Sequence, residues 1–103
     1  MSREIAYLPE VSRDFVDAYH YYSALSEKLG EKFECAYYEA EKEIEDNLIK
    51  HRTVFDDYRR VVLRKFPYLL YYRDDAGKAV IAGLLFGKRD PKEIKRLLKS
   101  RSE

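Results

Sequence analysis

The sequence predicts an α+β fold: an N-terminal strand, an antiparallel helical hairpin packed on a small, mostly antiparallel sheet, and a short C-terminal helix. Three observations lead there. Apolar residues recur at spacings of three and four through the first half of the chain. After His51 the pattern changes to β-branched and aromatic runs. The turn sequence Asp74-Asp75-Ala76-Gly77 then separates two of those runs. Helical periodicity followed by strand periodicity segregates helices to one face of an antiparallel sheet. At 103 residues the chain is read as one domain, residues 1–103, with room for a single modest core.

Arg3 to Leu8 form a short strand candidate closed by Pro9. Pro9 followed by Glu10 opens a helix, because proline lacks the amide that would go unpaired there and an acid favours the positive helix end. Val11, Phe15, Ala18, Tyr19, Tyr22 and Leu25 make its apolar stripe. Gly30 marks a helix turn. A second stripe follows with Leu29, Phe33, Ala36, Tyr37, Ala40, Ile44 and Leu48, its other faces carrying a solvated row of glutamates. So short a connection makes the two helices an antiparallel hairpin. His51 to Asp57 has no period and reads as a loop.

Tyr58 to Phe66 and Tyr68 to Arg73 read as strands, with Pro67 at a turn or edge between them. Gly77 supplies the positive φ that closes a hairpin. Ala79 to Phe86 is a nearly all-apolar central strand, in which Gly83 signals a bulge or close backbone approach. After Gly87-Lys88-Arg89-Asp90, Pro91 opens a last helix with Ile94, Leu97 and Leu98 at helical spacing. That tail is basic, with Lys92, Lys95, Arg96, Lys99 and Arg101.

A net charge of +1 conceals an uneven chain. Residues 1–50 hold 6 Lys/Arg against 12 Asp/Glu, and residues 51–103 hold 14 against 7. Either the basic half faces an acidic partner, protein or nucleic acid, or the halves neutralise each other across the fold. No apolar run approaches a membrane span and the first residues lack a signal-like stretch, so a cytoplasmic location without membrane partners is expected. The one cysteine, Cys35, excludes an internal disulfide and reads as a small packed residue.

Phosphate-cradling glycine loops, zinc-spaced Cys/His clusters and nucleophile elbows are all absent from the sequence, and no cofactor or metal is expected. His20 reads as a surface or half-buried residue, and His51 as a cation at a helix C-terminus. The cations of the strand region are more telling. On an ideal strand Arg60, Val62, Arg64 and Phe66 share one face while Arg59, Val61, Leu63 and Lys65 share the other, so neither face is purely apolar. Arginine's planar fork grips carboxylates or phosphates in pairs and stabilises charge developing on a phosphate. The candidate binding set is Arg59, Arg60, Arg64, Lys65, Arg73, Lys88 and Arg89. Pairing with the chain's own acids is the competing use of these side chains.

The segment Arg59-Arg60-x-x-Leu63-x-x-Phe66-Pro67-Tyr68-x-x-Tyr71-Tyr72, the apolar strand after it, and Gly87-Lys88-Arg89-Asp90-Pro91 resemble the RelE/ParE toxins of type II toxin–antitoxin (plasmid stabilisation) systems. The upstream order is similar too: a strand, a tyrosine-bearing helix, a Leu29-Gly30 turn and a helix from about Phe33. The resemblance spans essentially the whole chain and implies a small toxin neutralised by a cognate antitoxin protein. RelE-like branches cleave mRNA on the ribosome, and there Arg64 and Arg89 would match the arginines that hold and activate the RNA phosphate. ParE-like branches poison DNA gyrase by binding. This chain has Phe86 where many members place a histidine, and no histidine or glutamate near Lys88 replaces it as general acid or base. The low net charge is also unlike a chain that must sit among ribosomal RNA. The ParE-like side is therefore favoured. An mRNA endoribonuclease, or a non-toxic binding module of the same fold, is the alternative, and whether the chain is an enzyme stays open.

Overall fold

The computed structural model describes residues 4–46 and 51–102, the last by its backbone alone. Arg3 and Leu48, assigned above to a strand and a helix stripe, lie outside the described residues. The order is β1 (Ile5–Tyr7), α1 (Glu10–Leu25), α2 (Glu27–Asp46), β2 (Thr53–Phe55), β3 (Tyr58–Val62), β4 (Tyr68–Asp75), β5 (Lys78–Phe86) and α3 (Pro91–Ser102). This is the predicted α+β class, with one strand more than the sequence indicated.

The strands form one sheet in the order β1-β5-β4-β3-β2. Every neighbouring pair is antiparallel except β1 with β5. The strand at the centre is thus β4, and β5 is interior beside it. Asp74 Oδ1 accepts a hydrogen bond from the Gly77 amide at 2.8 Å, and Ala76 and Gly77 at φ 54° and 87° make the two-residue turn between β4 and β5.

α1 and α2 pack together on one face. They are joined through a single extended residue, Ser26, at φ −168°. Its amide donates to the Tyr22 carbonyl, closing α1, and its Oγ accepts from the Leu29 amide at 3.3 Å, opening α2. The turn therefore precedes Gly30, which sits in the first turn of α2. A Cβ there would come within 2.7 Å of Ser23 Cβ, so the glycine admits close helix approach and makes no turn. Phe33, Ile44, Leu63, Leu70, Tyr72 and Ile81 are sealed in the core between hairpin and sheet.

α3 covers the other face. Ile94 and Leu98 bury against Tyr58, Tyr71, Ala82 and Leu85. β4 serves both cores by simple alternation, and a bulge shifts the alternation of β5: Tyr71 pairs with Gly83 and Tyr72 with Ile81, skipping Ala82, so that Ile81 and Leu84 both face the helical hairpin. A Cβ on Gly83 would sit 2.9 Å from Arg101 Nη1 and 3.1 Å from Leu98 Cδ2, so both expected reasons for this glycine operate.

Two expectations need correction. The segment from His51 to Asp57 is not all loop, since Thr53–Phe55 adds an edge strand to β3, returned by Asp56 at φ 47°. The strand from Tyr58 stops at Val62 and does not reach Phe66. Lys65 takes φ 69°, the Phe66 amide donates to the Leu63 carbonyl at 3.4 Å, and Leu63 closes the hairpin on Tyr68 at 3.0 Å. Arg64 and Lys65 thus sit on a turn, and Phe66 swings onto the helical-hairpin side.

Candidate functional site

The Gly87 amide donates to the Pro67 carbonyl at 2.7 Å, and a Cβ on Gly87 would lie 3.3 Å from that oxygen. This bond stitches the turn carrying Arg64 and Lys65 to the turn carrying Lys88 and Arg89, bringing four of the expected cations to one end of the sheet. The flanking residues are used structurally. Asp90 caps α3, its Oδ1 accepting from the Lys92 amide at 2.9 Å and its carbonyl from Glu93 and Ile94. Pro91 takes the first helical position, where a missing amide costs nothing. Phe66 and Tyr68 close an aromatic cluster with Tyr22 and Phe33, ring centroids 4.8–6.1 Å apart.

Arg64 and Lys65 border a depression of about 570 Å³ whose other walls include Glu39 and Glu43, and two further clefts open at this end. One, about 540 Å³, brings Arg64 and Lys65 beside Lys28 and Lys32 of α2, over Leu29 and Phe66, with Glu31 and Glu39 also on its walls. Cys35 is exposed there, not packed as its helical position implied. The other, about 260 Å³, lies under the start of α3 and gathers Arg60, Arg89, Lys92 and Lys95 over Leu69, Tyr71 and Ile94. Among the described residues no carboxylate lines it. Arg60 Nη1 donates to Tyr71 Oη at 3.3 Å, and Lys95 Nζ sits 5.9 Å from the Phe55 ring centre. Burial pushes the Tyr68 hydroxyl above its ordinary range, with Tyr21 adding to the rise and nearby Arg89 opposing it. Among the described residues no ion pair involves Arg60, Arg64, Lys65, Lys88 or Arg89.

Arg59 and Arg73 behave differently. Arg59 is half-buried, with Nη1 donating to the His51 carbonyl at 2.5 Å and Nε enclosed without a hydrogen-bond partner. Arg73, also half-buried, donates from Nη1 to Tyr58 Oη at 3.2 Å, and that hydroxyl donates to the Leu98 carbonyl at 3.4 Å. Both bind the molecule to itself. His51 Nε2 lies 3.2 Å from Glu43 Oε1 of α2, a contact that becomes an ion pair when the imidazole is protonated.

Arg64 and Arg89 line separate clefts. Phe86 packs its ring on Tyr68 at 5.6 Å, and among the described residues no imidazole or carboxylate lines the cleft that holds Arg89. Among the described residues no cluster of His, Cys, Asp and Glu is able to hold a metal ion, and no helix is long and apolar enough to cross a membrane.

One ionic element escaped sequence reasoning. Arg101 grips Asp14 in bidentate fashion at 2.6 and 2.8 Å, the side chains being 10% and 12% exposed. Asp14 Oδ2 also accepts from the Leu84 amide, and Arg101 Nη1 donates to the Ala82 carbonyl, each at 3.1 Å. β1 pairs with β5 only as far as Ile81, so this clasp satisfies the β5 edge beyond it. No local signal joins residues 87 positions apart.

No family model and no curated protein matches the chain. Among solved structures, a chain described as "Chromosomal ParDE TA system from P. aeruginosa" superposes with a TM-score of 0.69 at 16% identity, covering 81% of this chain and 94% of that one. At that identity the likeness is one of fold, and the fold is ParE-like.

Proposed function

We propose that this chain is the toxin of a type II toxin–antitoxin pair, arresting growth by binding a cellular target, DNA gyrase, and held inactive by a cognate antitoxin. The observation that carries the proposal is the cationic end of the sheet, where Arg60, Arg64, Lys65, Lys88 and Arg89 face outward with no internal ion pair among the described residues. A chain serving only its own stability has no use for five such cations at one end, because unpaired like charges repel. The ParE-like fold supports the same reading.

Binding suits the site better than cleavage. Among the described residues the cleft at Arg89 offers charge stabilisation but no imidazole or carboxylate to move a proton. The antitoxin segment would set acidic and apolar residues against this end, where Val62 is 64% and Phe86 37% exposed.

Inducible expression tests the proposal, with gyrase supercoiling measured beside mRNA integrity on ribosomes. Growth arrest with lost supercoiling and intact mRNA is expected. Specific mRNA cuts abolished by Arg64→Ala or Arg89→Ala would establish the endoribonuclease instead, and the absence of arrest would leave a non-toxic binding module.

A further inference from the structure

The outer face of α3 carries a charge pattern that extends beyond the candidate site, which takes in only its Lys92 and Lys95. Lys92, Lys95, Arg96 and Lys99 are all exposed. On a helix of 3.6 residues per turn these four fall within about 100° of arc. Glu93, the acid of this helix, lies outside that arc. The four cations and Ser100 line a shallow depression of about 420 Å³. Carboxylates near the stripe are few. Asp56 lies 3.8 Å from Lys99 with both side chains about half exposed, an arrangement of little energetic consequence. Asp90 is occupied with capping.

A basic amphipathic helix is open to several partners, and the fold excludes two of them. Insertion at a membrane surface or into a hydrophobic groove requires the apolar face to be free. Here that face is committed, with Ile94 and Leu98 buried in the sheet and Arg101 clasped to Asp14. Only the charged face remains available. Lys92 and Arg96, like Lys95 and Lys99, stand four residues apart, about 6 Å of helix rise, so the four cations form two adjacent rows along the helix axis. The stripe also runs into the cleft of Arg60 and Arg89 through Lys92 and Lys95, which line both.

We propose that the exposed face of α3 docks on the phosphodiester backbone of a nucleic-acid duplex, without reading sequence. The inference does not depend on the toxin reading, since it requires neither gyrase nor an antitoxin. Lysines and arginines spread along a helix surface bring charge and no base-edge geometry, so they position the protein on the duplex and leave sequence unread.

The test is binding of the whole chain to fluorescent 25-base-pair DNA and RNA duplexes of unrelated sequence between 50 and 200 mM salt. About 0.9 counterions are released per phosphate contact, so four contacts predict a log–log slope of about −3.6 and a loss on the order of 100-fold across that range. Lys92→Gln/Lys95→Gln/Arg96→Gln should reduce the slope to about −1 while circular dichroism stays unchanged. Should that variant fail to fold, Lys95→Gln/Arg96→Gln should remove about half of the slope. The matched control Arg13→Gln/Lys42→Gln/Lys78→Gln removes equal charge elsewhere and should bind as the unaltered chain does. No binding at 50 mM salt, equal weakening by the control, or competition by polyglutamate at equal charge concentration would each overturn the proposal. Stronger binding to one duplex type would identify the natural source of the backbone.

Discussion

Asp14 and Arg101 show how much one pair of side chains can carry when both sit at the boundary of the interior. Each loses hydration, and each recovers it through the other and through one backbone group of β5. Arg101→Met would leave a nearly buried carboxylate without its cation, and should lower the unfolding free energy by about 3 kcal/mol. Asp14→Leu/Arg101→Met should lose less than the sum of the single changes, because the second change removes the charge that the first stranded. Urea titration measures both, and additivity would contradict the clasp. The tyrosines give a pH prediction. Burial, chiefly, holds Tyr7, Tyr22, Tyr37 and Tyr68 above the ordinary value of 10.0, with Glu41 adding to the effect at Tyr7 and Tyr37. The folded chain keeps these protons more tightly than the unfolded one, so this contribution is intact below that value and is lost as pH rises through the folded values. The urea midpoint should therefore fall above pH 10.0, and Tyr37→Phe should flatten the fall.

Elements were legible where their period was long enough to count. The helices of the hairpin declared themselves because apolar stripes repeated over several turns, and the β4–β5 hairpin because Asp74-Asp75-Ala76-Gly77 is turn chemistry in which Gly77 accepts left-handed backbone. β2 was not legible, since Thr53–Phe55 is three residues long and shows no alternation of its own. The end of β3 was missed for the opposite reason. Apolar alternation runs on through Val61 and Leu63, while the turn is made by Lys65 at φ 69°, a residue type without turn signature. The candidate site was half legible. Arg60, Arg64, Lys65, Lys88 and Arg89 were visible as cations of the C-terminal half. That Lys28, Lys32, Lys92 and Lys95 join them depends on helices meeting strands, which local spacing does not encode. Gly30 tests the hairpin. Gly30→Ala forces Ser23 or its backbone to move, because the added carbon would lie 2.7 Å from Cβ and 3.0 Å from Cα. A loss of about 2 kcal/mol is expected from such overpacking, with strand content unchanged by circular dichroism. A neutral or stabilising effect would mean that the helices separate freely.

At the scale of the whole molecule, the acidic front and basic back do not simply cancel. Ion pairs between them do exist, Glu4 with Lys78 and Asp14 with Arg101, but they use cations other than the five displayed at the sheet end. α3 completes the molecule by sealing the second face, and ending the chain after Asp90 should expose Tyr58, Tyr71 and Leu85. Enhanced binding of an environment-sensitive apolar dye would report that exposure, and an unchanged signal would mean that the face is covered in some other way. The display of charge is the central claim, because it separates side chains kept for a partner from side chains kept for the fold. Its most direct test is the variant Arg64→Gln/Lys65→Gln/Lys88→Gln/Arg89→Gln, assayed for thermal stability and for growth arrest on induction. The account predicts a melting temperature within a few degrees of the unaltered chain, as surface changes of this kind usually cost little, together with loss of arrest. Arrest that persists undiminished, or a fold that collapses when these four charges go, would contradict it.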